Sequence, residues 1–318
     1  MNHRASKISQ GFNPAGIVSA GDRVLVPGWV REGMTRKTVV GVYGRSAEFE
    51  REIELGSGVP RVAHQEGTYV AVGAIDYLDN GAPKAVMFVS SNSGEKWSKT
   101  ELTGLDLIGL SIRTDGKGFA WSASRLAVVD HDHWAEIGKI DAEYQLTKFA
   151  LQCSDRDVVL IASSRQNAYE HWVVALEGDH FAKLASIPGK VTGVASIGNG
   201  AMIVAVERKG DGGFELITWS PQNPRETISV GQYANGHVEA MTVQNGNLLI
   251  AGNEGVPTNP WTSTLWQGLL GSDELKPVEL KATRLKISKA AAVAFADDMA
   301  LWCFNPDEGV FRVPAGRD

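Results

Sequence analysis

Short apolar runs separated by glycine-bearing polar turns recur along the whole chain. The turn-then-strand unit reads AGDRVLVPG, QEGTYVAVG, TDGKGFAWS, SDRDVVLIAS, GNGAMIVAV, QNGNLLIAG and ADDMALWCF. Its turn residues Asp22, Gly67, Gly116, Arg156, Gly200, Gly246 and Asp298 recur at a mean interval of 46 residues, the length of a four-stranded propeller blade. This spacing predicts an all-β, single-domain, seven-bladed β-propeller of four-stranded antiparallel blades over residues 1–318. The blades fall at about 16–56, 58–103, 107–140, 146–187, 191–231, 237–281 and 286–314. Rings of six or eight are the alternatives. The last unit is one strand short, and residues 2–10 precede the first unit without a place in it. That segment is predicted to supply the missing strand and close the ring, which removes an open sheet edge.

One stretch is more specific. In AVMFVSSNSGEKWSKTEL (85–102) an apolar run, a polar turn and an alternating run predict a β-hairpin. Ser90, Asn92, Gly94 and Trp97 have the spacing Ser-x-Asp-x-Gly-x-x-Trp, which resembles the Asp-box, or BNR repeat, of sialidase-like β-propellers. Asn92 stands where that motif has aspartate. A short oxygen-bearing side chain still bonds turn amides, Gly94 supplies positive φ, and Trp97 packs beneath. The later turns DHDHW (130–134) and EGDHF (177–181) read as degenerate versions of the same box.

The resemblance implies an architecture and not an active site. Sialidases cleave with a tyrosine assisted by a glutamate, an acid/base aspartate and three arginines on the substrate carboxylate. Their Phe/Tyr-Arg-Ile-Pro motif has no counterpart here, the nearest string being Val59-Pro60-Arg61. No enzyme activity is therefore expected.

Composition narrows the field. The net charge of −6 argues against nucleic acid or an anionic membrane surface as the main partner. No apolar run approaches the roughly 20 residues of a membrane span. The start, MNHRASKISQGFNPAG, lacks a signal peptide's apolar segment, so a cytoplasmic protein is expected. Cys153 and Cys303 are read as free buried thiols. His131 and His133 between Asp130 and Asp132 are the one metal-like string, but Asp and His are also good turn residues. Neither a metal nor a cofactor is expected.

The candidate chemistry lies in the connections between second and third strands, which open on one face of the ring with the blade-to-blade links. The first, 28–37, carries Trp29, Arg31 and Arg36, and the second, 74–84, carries Asp76 and Tyr77. Trp121 and Arg125 bound the third, and Arg165 and Tyr169 lie in the fourth. Glu207 and Arg208 open the fifth, Glu254 and Trp261 belong to the sixth, and Asp307 to the seventh. Arginines and aromatics among acids are the mix that dominates interface energetics. The expected function is a monomeric, non-enzymatic protein-binding propeller that holds another protein on this face. An inhibitor such as a bacterial immunity protein, or an assembly factor, fits that description. The alternative is a small-glycan-binding or sialidase-like glycoside hydrolase propeller.

Overall fold

The structure is a computed structural model. It describes residues 6–7, 11–44, 48–77, 83–130, 133–154, 157–198, 200–210, 212–254, 262–270, 279–285, 292–295, 300–305 and 309–314. Every regular element among them is a β-strand.

The strands form a ring of four-stranded antiparallel sheets, each a meander in chain order. Phe49–Ser57, Thr35–Tyr43 and Arg23–Glu32 make the first sheet, whose other edge is shared by Val18–Ala20 and Asn13–Pro14. Val59–Glu66, Tyr69–Tyr77, Pro83–Ser90 and Ser98–Leu102 make the next. An eight-stranded sheet follows, built of the meanders 109–139 and 144–187, which touch through one parallel pair, Lys139 with His180. Lys190–Gly198 starts a further sheet and His237–Gln244 another. The last holds Ala292–Phe295, Ala300–Asn305 and Gly309–Pro314, with Ser6–Lys7 on its outer edge, Ser6 opposite Arg312 and Lys7 opposite Phe311.

The first strands of the meanders line the axis. Val59–Glu66 adjoins Gly109–Ile112, which adjoins Tyr144–Cys153, and contacts pass on through Lys190–Gly198, His237–Gln244 and Ala292–Phe295 to Val18–Ala20, which returns to Val59–Glu66.

The core lies between sheets. In Arg23–Glu32, Val24 and Val26 pack with Phe12, Val39, Tyr43 and Val310, while Leu25 points the other way onto Val70, Val72 and Phe88 of the next sheet. A strand covered on both faces needs apolar residues at consecutive positions, which explains the run Val24-Leu25-Val26. The outer strand Phe49–Ser57 has one face in solvent and alternates accordingly. Each buried Val or Leu contributes about 1.5–3 kcal/mol, so the clusters between neighbouring sheets hold the ring together.

The turn after Pro83–Ser90 is held by its own side chains. Gly94 N–H donates to Ser90 Oγ at 2.9 Å and Lys96 N–H to Asn92 Oδ1 at 2.8 Å. The indole of Trp97 donates to Gly94 O at 3.0 Å. Glu95 reaches across to Arg23 and Arg51 of the preceding sheet. By contrast EGDHF is a two-residue hairpin turn in which Glu177 pairs with His180, so it is not a version of this turn. In DHDHW, residues 131 and 132 lie outside the described residues.

Candidate functional site

In antiparallel meanders the second-to-third connections necessarily open on one face. The segment 28–37, expected as a loop, is instead a paired hairpin: Arg23–Glu32 and Thr35–Tyr43 run in register to Glu32 opposite Thr35. Cross-strand alternation extends the pairing because Trp29, Val30, Thr35 and Thr38 suit a pleated ribbon. Gly33, at φ 60°, starts the turn, as a II′ hairpin requires. Met34 at the apex is 92% exposed. Directly opposite and diagonal residues share a face, so Trp29, Arg31 and Arg36 lie together. The Arg36 guanidinium sits 5.2 Å from the Trp29 ring centroid. On the other face Lys37 is bound by Glu32 at 2.5 Å and Glu54 at 3.1 Å, and these carboxylates raise its pKa.

The remaining expected residues are more constrained. Trp121 is fully buried, and its indole donates to Thr147 O at 2.7 Å. Its side chain pins the meanders 109–139 and 144–187 together and is not offered to a partner, because a large ring with one N–H is satisfied inside the core between them. Arg125 donates to Gly104 O and lies 3.5 Å from Glu136. Arg165 donates to Tyr144 O at 3.0 Å, and Tyr169 N–H to Asn167 Oδ1 at 3.1 Å. Arg208 meets the buried Glu215 at 3.3 Å, and Glu254 meets Arg284 at 2.9 Å. Asp76 pairs with Lys84 and Tyr77 with Pro83 in the ladder. Trp261 and Asp307 lie outside the described residues.

Glu207 leads to a group that the sequence reading missed. It contacts Lys190 at 3.3 Å and His237 Nδ1 at 3.4 Å, while Glu239 approaches His237 Nε2 at 3.5 Å. The Glu239 hydrogen bond and both carboxylate charges raise the His237 pKa. Lys148, on another axial strand, interacts with Glu239 as well. Water reaches Lys148, yet the protein around it lowers its pKa by desolvation, with Glu239 opposing. The signal was present: Lys148 and Glu239 are the single Asp, Glu, Lys or Arg in their strands, YQLTKFALQC and HVEAMTVQ.

Toward the face of the first-to-second turns, cavities of about 490 and 530 Å³ that share His64 lie against the axial strands. His64 Nδ1 accepts from Ile112 N–H at 3.2 Å, so the neutral ring carries its proton on Nε2. Burial pushes its pKa down to about 4. Cys153 lines the larger cavity, and burial raises its thiol to about 12 against a hydrogen bond from Ser111. That thiol is a poor nucleophile. Among the described residues no cluster of His, Cys, Asp and Glu could hold a metal ion.

No family model matches the chain, and no curated protein matches it. Solved structures do. Kuenenia stuttgartiensis hydrazine synthase aligns with TM-score 0.63 at 11% identity, covering 98% of this chain and 98% of that one. BBS1N, crystallised in complex with ARL6DN, aligns at 0.57 and 12% identity over 100% of this chain and 98% of that chain. A phage phi92 endosialidase aligns at 0.53 and 8% identity over 100% of this chain and 70% of that chain. At such identities the likeness is one of fold alone, and the fold is that of a β-propeller.

Proposed function

We propose that the chain is a seven-bladed, sialidase-like propeller with an Asp-box at Ser90–Trp97, and that it binds another protein without catalysis through the face carrying the hairpin 23–43. The count of seven is supported by the circuit of axial strands, with the eight-stranded sheet taken as two blades. The box assignment rests on the side-chain bonds within the turn. The observation that carries the binding function is the hairpin apex: an exposed Met34 beside a Trp29–Arg36 stack and Arg31. An apolar tip flanked by two arginines fits a partner surface with an apolar pocket and acidic surroundings. Binding without chemistry is favoured because Glu207, Glu215 and Glu254 on this face are each engaged by a cation.

The test is affinity capture from the source organism's lysate, followed by titration of the captured protein. Met34→Asp and Arg36→Ala should each weaken binding by about 2 kcal/mol, roughly thirtyfold, with unchanged melting. Lys117→Ala and Asn247→Ala, on the opposite face, should leave it intact. Binding lost on the opposite face and kept at the hairpin would overturn the assignment.

A further inference from the structure

The turn Ser90–Trp97 also forms one wall of a cavity of about 350 Å³ between its own sheet and the next. The floor is apolar: Met87 and Val129 are buried beneath it. Two aromatic rings form the sides, Tyr69 and Trp97. Both are fixed by the backbone before any ligand arrives. The Trp97 indole N–H is committed to Gly94 O. The Tyr69 ring lies so close over Gly116 that a Cβ there would meet it at 2.8 Å.

The rim carries Ser91, Lys96, Ser98 and Asp115, and its charges are unequally satisfied. Asp115 gives one oxygen to Arg113 at 2.7 Å and the other to Lys117 N–H at 3.1 Å. Glu95, next in sequence to Lys96, is turned away to Arg23 and Arg51. Among the described residues Lys96 has no ion pair, so the mouth presents one unneutralised ammonium beside the Ser91 hydroxyl, while the Ser98 hydroxyl donates to Val89 O at 3.3 Å. A cationic ligand would find no free carboxylate. A dianion would feel the nearby Asp115, so a single negative charge is favoured.

We propose that this cavity binds a small aryl monocarboxylate, its ring between Tyr69 and Trp97 over Met87 and Val129 and its carboxylate on Lys96 with the Ser91 hydroxyl. The volume lies at the small end of ligand sites, which run from about 300 to 1,000 Å³. It suits one ring with a short acid arm. Shape and apolar contact supply most of the affinity, and the ammonium supplies the choice of acid over neutral analogue.

Phenylacetate and its neutral isostere phenylacetamide, titrated into the full chain by ligand-observed NMR, test this. Phenylacetate should saturate with a Kd at or below about 1 mM, and the amide should bind at least about fivefold more weakly. Lys96→Met should raise the Kd for phenylacetate about fivefold or more and leave phenylacetamide unchanged. Ser98→Trp, at an exposed position on the rim, should close the mouth and abolish binding of both while melting stays the same. The proposal is overturned if phenylacetate shows no saturable binding up to about 20 mM, if acid and amide bind equally, or if either variant binds phenylacetate as the parent does.

Discussion

Gly94 has a φ of 91° and approaches Leu25 so closely that a Cβ would lie 2.8 Å from its Cδ1. Leu25 is itself fully buried between two sheets, so it has no room to retreat. Gly94→Ala should therefore cost about 1–3 kcal/mol, from backbone strain plus overpacking; urea unfolding would check it, and a change within 0.5 kcal/mol would mean that the turn relaxes freely. This turn was legible because Ser90, Asn92, Gly94 and Trp97 act on one another within eight residues of chain. Trp121 was misplaced for the opposite reason. A tryptophan next to a polar stretch reads the same whether it faces solvent or the neighbouring meander, and only the acceptor at Thr147 O decides. Lys148 and Glu239 were passed over because what joins them is the axis, a relation between distant strands that no local spacing encodes.

Among elements, two histidines on the axial strands pull in opposite directions. His64 is held neutral by burial, with its pKa lowered to about 4. The unfolded chain takes up a proton near pH 6.5 and the folded chain does not, so this contribution is present above that pH and is lost as pH falls toward 4. His237 is raised by Glu239 and Glu207. Its contribution is full below pH 6.5 and disappears as pH rises through the folded value. His64→Asn, which keeps an acceptor for Ile112 N–H, should flatten the acid-side fall in melting temperature, worth on the order of 1–3 kcal/mol between pH 6.5 and 4. His237→Gln should destabilise at pH 5.5 and do little at pH 8.5. A His64→Asn profile parallel to that of the parent would show that the ring is solvated in the folded chain. The hairpin 23–43 shows how an element can be half legible: its apolar beginning reads as a strand, but its charged apex, Arg31 to Lys37, reads as loop because a ribbon projecting into solvent has no buried face to pattern it.

At the scale of the molecule, the ring depends on a pairing between the two ends of the chain. The want of a fourth strand after Val310–Pro314 was legible by counting runs, whereas the residues that fill it, Ser6 and Lys7, follow only from the register. Deleting residues 1–10 should expose the outer edge of Gly309–Pro314 and lower the melting temperature by roughly 3 °C or more. A truncated chain that melts with the parent would mean that this pair adds nothing to closure. The same register has a mechanical consequence. Ser6 faces Arg312 and Lys7 faces Phe311 in antiparallel sense, so the chain before Ser6 and the chain after Pro314 leave the pair in the same direction. Tension applied between them loads the hydrogen bonds one after another and not all at once. The closure of the ring at this pair would thus open like a zip under a small pull at its ends.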